Sequence, residues 1–235
     1  MALFPTCLGE ALNPAAVRDA ERLLSAAGVA CRRPSGATCC GQPAWNSGFV
    51  GDARRVARRT LRAVADADAV VVPAGSCAAM MRLHWRHLFH GEPEQELAAR
   101  ASTRTFELSQ YLVDELNWRP PAPVARGQVS YHDSCHMLRE LRLHDQPRAL
   151  LAAVADVREL PHADRCCGFG GTFSIRYPDV STAMADDKLA SAATISAATV
   201  ASADPGCVMQ IEGRASRVGA GVRVVHLATV LAEAL

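Results

Sequence analysis

The sequence predicts an α/β protein made of two pseudo-repeated, cysteine-rich halves over mainly parallel sheets, and three observations predict it. The first is a cysteine plan written twice. With Cys31 set aside, Cys7, Cys39, Cys40 and Cys77 form one series and Cys135, Cys166, Cys167 and Cys207 a second, each of the form single, adjacent pair, single. The intervals agree closely: 32 and 31 positions to the pair, then 37 and 40 to the last cysteine. The second observation is a repeated closing segment, "TFELSQYLVDEL" and "VVHLATVLAEAL", in which Leu108, Leu112 and Leu116 match Leu227, Leu231 and Leu235 on one helical face. The third is alternation of short apolar runs with amphipathic helical stretches, the signature of strands joined by crossover helices.

The elements follow in order. Asn13 and Pro14 supply a cap and a first-turn residue for a helix carrying Val17, Ala20, Leu23, Leu24 and Ala27 inward, which Gly28 closes. A strand is expected from about Val29. The next helix is expected over Asp52 to Ala65, with Ala53, Val56, Ala57, Leu61 and Val64 on one side, before the buried strand "AVVVPAGSC" that ends at Cys77. In the second half "QVSYHDSC" reads as a strand ending at Cys135, Gln146 to Val154 as a short helix and Pro178 to Thr199 as a longer one. "NWRPPAPVARGQ" cannot continue a helix through Pro120 and Pro121, so the expected division is 1–118, a linker at 119–127, and 128–235. Cysteines thus fall where strands end, the usual place of ligand crevices in open α/β sheets.

Composition narrows the function. The 235 residues are 49% apolar and 21% charged, with 25 Lys and Arg against 24 Asp and Glu, so no nucleic-acid footprint is expected. The start lacks a secretory leader pattern, and no apolar run is long enough for a membrane span, so the expected location is the cytoplasm. Nine cysteines in a reducing compartment point to metal or redox chemistry rather than a disulfide framework.

Each half supplies four thiols from three loops, a set that satisfies either a tetrahedral zinc or an iron–sulfur cluster. Structural zinc sites generally use Cys-x-x-Cys knuckles, and this sequence has none. Adjacent side chains diverge on extended backbone, so each pair needs a sharp turn, which Gly41 and Gly168 are placed to permit. A polynuclear cluster accommodates neighbouring thiolates more easily than one ion does. The spacing therefore favours iron–sulfur clusters, [4Fe–4S] and up to two, with zinc in one half left open. Cys31 has no counterpart and reads as a buried apolar residue.

"TCCGQPAWNSG", "PAGSCAAM", "YHDSCHMLREL" and "CCGFGGTFSIRYPDVSTAM" resemble the signatures of the lactate-utilisation protein A family, related to the iron–sulfur component of glycolate oxidase and to the cysteine-rich component of heterodisulfide reductase. The resemblance implies an electron-transfer component that works with partner subunits, one bearing ferredoxin-type clusters, to oxidise L-lactate to pyruvate for growth on lactate. Membership of a glycolate oxidase or a heterodisulfide or thiol reductase, and a four-cysteine zinc module, are the alternatives. Where the heterodisulfide reductase component can carry a fifth thiolate, this chain has Met80 and Gln210.

Other residues carry weaker signals. His132 and His136 flank Cys135 and could tune a cluster, ligate it, or be satisfied by backbone groups. Gly170, Gly171 and Ser174 could form a backbone nest, or only a tight turn. Arg54, Arg55, Arg58, Arg59 and Arg62 read as a solvated face, with an acidic partner as the alternative, and His84, His87 and His90 as a helix surface flanked by Trp85 and Phe89. No nucleophile, base and orienter set is present for unaided dehydrogenation.

Overall fold

The computed structural model describes residues 1–121 and 126–235, and the expected linker at 119–127 lies outside the described residues over 122–125. In the first half β1 (Ala2–Leu3) leads to α1 (Cys7–Leu12), α2 (Pro14–Ala26), α3 (Gln42–Asn46) and α4 (Val50–Ala63). β2 (Val70–Val72) then enters a helix composed of α5 (Gly75–Ala79), a π turn over Met80–His84 and α6 (Trp85–Leu88). α7 (Gln95–Thr103), β3 (Thr105–Glu107) and α8 (Leu108–Gln110), extended by a π turn over Tyr111–Glu115, complete it.

The second half repeats the scheme with β4 (Arg126–Tyr131), a π turn over His136–Glu140, α9 (Asp145–Ala152) and β5 (Ala155–Val157). α10 (Thr172–Arg176), α11 (Pro178–Thr194), β6 (Thr199–Ser202), α12 (Pro205–Val218), β7 (Arg223–His226) and α13 (Leu227–Ala232) follow. The strand orders are β1-β2-β3 and β5-β4-β6-β7, with every pairing parallel. Parallel pairing demands cover on both faces, and β2 is accordingly buried throughout.

Three local expectations are corrected. The strand from Val29 reduces to one bridge, Ala2 to Arg32, while the second half places a true edge strand, β5, in the corresponding position. The closing segments are not uniform helices: Thr105–Glu107 and Arg223–His226 are strands, and helix begins only at Leu108 and Leu227. A polar residue makes each switch, with Glu107 accepting from Ser109 N at 2.7 Å and His226 Nδ1 accepting from Ala228 N at 3.1 Å. Finally, α11 stops at Thr194, because Thr199–Ser202 is needed as β6 beside β4.

The halves are interleaved. α13 of the second half lies on α2 of the first, and α8 of the first lies on α9 of the second. Val17, Leu23, Leu24, Leu108 and Leu112 therefore share one core with Leu150, Leu151, Leu227 and Leu231.

The two cap residues give a pH signature. Burial pushes the Glu107 carboxyl up to about 7, and burial pushes His226 down to about 4. Stability carried by protonated Glu107 is complete below its unfolded pKa of about 4.3 and is lost as pH rises through about 7. Stability carried by neutral His226 is complete above its unfolded pKa of about 6.5 and is lost as pH falls through about 4. Glu107→Gln should remove the first slope, raising stability near pH 8 by up to about 3 kcal/mol and leaving the acid side intact. Urea midpoints across pH check this, and a Gln variant that keeps the alkaline slope would place the titration elsewhere.

Candidate metal centre

In the first half Cys7 opens α1, where Thr6 Oγ1 accepts from Gly9 N at 3.0 Å and fixes the entry of the helix. Cys77 lies in α5, directly beyond β2, and Cys39 and Cys40 arrive on the loop before α3. Their sulfurs form a chain: Cys7 Sγ to Cys39 Sγ at 3.7 Å, Cys39 beside Cys40, and Cys40 Sγ to Cys77 Sγ at 3.2 Å. Trp85 Nε1 donates to the Cys40 carbonyl at 2.9 Å, anchoring the pair from beneath. The second half builds the same chain from Cys135 to Cys166 to Cys167, with Cys167 Sγ to Cys207 Sγ at 3.2 Å. All eight thiols are free, and each set of four converges.

The glycine after each pair has two duties. Gly41 N donates to Cys39 Sγ and Gly168 N to Cys166 Sγ, both at 3.4 Å, with φ of 93° and 88°. A Cβ would lie 2.8 Å from Ala53 O on α4 at the first and 2.5 Å from Ser181 O on α11 at the second. Only glycine both adopts this backbone and lets a helix approach so closely. The turn that brings adjacent thiols to one centre is thereby bolted to a helix.

Charge is distributed alike in the two sets. Hydrogen bonds from Cys40 and then Cys7, with help from Gly41 N–H, lower Cys39 to about 3. Hydrogen bonds from Cys135 and then Cys167, with help from Gly168 N–H, lower Cys166 to about 2. The thiols donating to them, Cys7, Cys40, Cys135 and Cys167, are pushed up. In each set the anionic form is therefore favoured most at the first cysteine of the adjacent pair, Cys39 or Cys166.

The two sets open onto one cavity of about 470 Å³, lined by Cys7, Cys40, Cys77, Cys135, Cys166 and Cys167 among others. Its floor is the junction of the halves, where Gly75 N donates to Ala203 O at 3.2 Å and Ser76 N to Asp204 Oδ2 at 2.8 Å. Asp204 is not among the residues that the sequence singles out. Its place before Pro205 marks only a helix cap, and its Oδ1 does accept from Gly206 N at 3.0 Å.

His132 is fully buried, with both ring nitrogens unpartnered, and one of them lies with Cys167 Sγ and Cys207 Sγ in a group whose atoms are within 4.8 Å of one another. His136 is half-buried, its Nδ1 3.6 Å from Cys135 Sγ and its Nε2 3.8 Å from Glu140 Oε1. Gly170 and Gly171 line the cavity with positive φ. Met80 is core, and Gln210 Nε2 donates to Ser181 Oγ at 2.8 Å, so neither position offers a thiolate. Cys31 stands apart, against the shared core.

Arg54 and Arg58 pair with Glu92, Arg58 and Arg62 with Glu94, and Arg55 with Asp52, so four of the five stripe arginines are satisfied within the chain. His84 bonds Glu140 across the halves at 2.9 Å, while Trp85 and Phe89 are buried. Among the described residues no helix is long and apolar enough to cross a membrane.

Comparison with known proteins agrees with this duplicated arrangement. The cysteine-rich domain family CCG matches residues 1–82 and again 129–212. Lactate utilization protein A of Geobacillus kaustophilus is 42% identical over 234 residues, covering 98% of each chain, and that of Geobacillus thermodenitrificans gives the same figures. Lactate utilization protein A 2 of Bacillus cereus is 37% identical over 238 residues, covering 100% of this chain and 98% of its own. The duplicated Cys-Cys-Gly turns and this full-length similarity lead to one conclusion: the chain belongs to the lactate utilization protein A family of cysteine-rich-domain proteins.

Proposed function

We propose that this chain is an iron–sulfur electron-transfer subunit of a multi-subunit system that oxidises L-lactate to pyruvate, in concert with partner subunits that include a ferredoxin-type iron–sulfur protein. The observation that carries the reading is the pair of four-thiol sets opening onto one cavity. Cys7, Cys39, Cys40 and Cys77 hold the first cluster, and Cys135, Cys166, Cys167 and Cys207 the second. Such a cluster, when bound, supplies reversible one-electron chemistry. The chain's own part is to fix the thiolates, to limit water with buried Cys40, Cys77, Cys167 and Cys207, and to hold the two centres at a set separation. The lactate role rests on the family and on the names of its relatives.

A second reading has its own observation. Sγ separations of 3.2 and 3.7 Å lie nearer the edge of a four-thiolate zinc tetrahedron, about 3.8 Å for Zn–S bonds of about 2.3 Å, than the wider spread of a polynuclear cluster. Iron, zinc and acid-labile sulfide per chain, measured on anaerobically purified protein, separate the two. About eight iron and eight sulfide with broad brown absorption fit two [4Fe–4S] clusters, whereas one or two zinc without sulfide fit the structural module.

A further inference from the structure

The two sets of thiols share a backbone plan but not their surroundings. Three residues before the first cysteine of each series stand Phe4 and His132. They are structural equivalents: Phe4 N donates to Val71 O of β2 at 2.9 Å, and His132 N to Ala201 O of β6 at 2.8 Å. Both side chains are buried. Phe4 packs in the core cluster that contains Cys40 and Cys77, where its ring offers sulfur no hydrogen bond. His132 sits against Cys167 and Cys207.

Among the described residues, His132 is the one side chain whose two polar atoms are both buried and both without a hydrogen bond. The Ala163 carbonyl lies on one side of the ring but outside hydrogen-bond geometry. Leaving such a group unsatisfied forfeits the hydration of both ring nitrogens with nothing in return, so a buried imidazole implies a partner. The atoms positioned to be that partner are the sulfurs of the second centre. An N–H donated to sulfur favours the reduced, more negative state of a cluster and so raises its reduction potential.

We propose that His132 donates an N–H to sulfur at the second centre while Phe4 denies one to the first, so that the two centres are unequal and the second is reduced at the higher potential. This rests on the iron–sulfur reading above. His132 is here a positioning and tuning residue, and the first electron added to the chain resides in the C-terminal half.

The test uses the full-length chain, purified without oxygen and titrated stepwise with dithionite while electron paramagnetic resonance follows each centre. The wild type should show two separated midpoints. His132→Phe should move only the higher midpoint, downward toward the other, with iron and sulfide content unchanged. Phe4→His should move only the lower one upward. In a His136→Asn chain grown on ¹⁵N-histidine, which lacks the imidazole beside Cys135 Sγ, pulsed spectroscopy should detect a weak imidazole coupling at the centre reduced first; this readout leaves His132 itself unchanged and decides the matter even if His132→Phe fails to fold. A single wild-type midpoint, or midpoints unmoved in His132→Phe at full iron content, overturns the proposal. Loss of half the iron in that variant, with a strong nitrogen coupling in the labelled chain, makes His132 a ligand and overturns its role as donor. Wild-type protein without iron and sulfide removes the iron–sulfur reading itself, and that is seen before any variant is made.

Discussion

Gly168→Ala is expected to destabilise the protein by roughly 3 kcal/mol and to empty the second centre, because two costs fall on one atom. At a φ of 88° any Cβ is strained, and here it would also meet Ser181 O at 2.5 Å, a backbone atom of α11 that cannot rotate away. Relief requires the Cys166–Cys167 turn to lift from the helix, which breaks the Gly168 N–H contact to Cys166 Sγ and parts the adjacent thiols. Gly219→Ala is the control: its φ of 66° is also positive, but nothing lies within 4 Å of its Cβ position, so a cost of only about 1 kcal/mol is expected. Denaturant unfolding and metal content measured on both variants check the claim. Equal costs would show that the close approach to α11 contributes nothing.

Cys40→Ser should cut bound metal to about half of the wild-type content, taking it from the first centre and sparing the second. Cys40 is 1% exposed and lies 3.2 Å from Cys77 Sγ, so a serine hydroxyl fits the space but neither ionises there nor binds a soft metal well. Its backbone, held by Trp85 Nε1, is not asked to move. The fold should survive with a loss of about 1–2 kcal/mol for a buried hydroxyl with poor partners. Cys31→Ser, outside both sets, should retain full content. Undiminished metal in Cys40→Ser would remove Cys40 from the ligand set.

Much of this was legible in the sequence, and the exceptions have physical reasons. The two cysteine series were visible because thiol, Cys-Cys-Gly and thiol must each sit at the end of an element, and the lengths of the intervening helices fix the spacing. The duties of Gly41 and Gly168 were half visible: a sharp turn could be inferred, but not that Ala53 O and Ser181 O press against it, since helix-to-loop approach is a tertiary fact. The strands Thr105–Glu107 and Arg223–His226 were hidden because their apolar residues run straight into the leucine face of the following helix. The interleaving was hidden for a related reason. Leu108 and Leu227 present the same face whichever helix they cover, so pattern alone does not say that α8 lies on α9 and α13 on α2.

That exchange of closing helices has a bearing on how the duplicated centres could diverge. In a tandem of independent modules, the gap between two sites depends on a tether and changes with every fluctuation of it. Here each half packs its closing helix on the other, so one shared core holds the frame while the residues hung on it can change. A phenylalanine at one site and a histidine at its counterpart are what such a frame permits: two unlike four-thiol sites on one shared core, their specialisation free to proceed because their geometry is not.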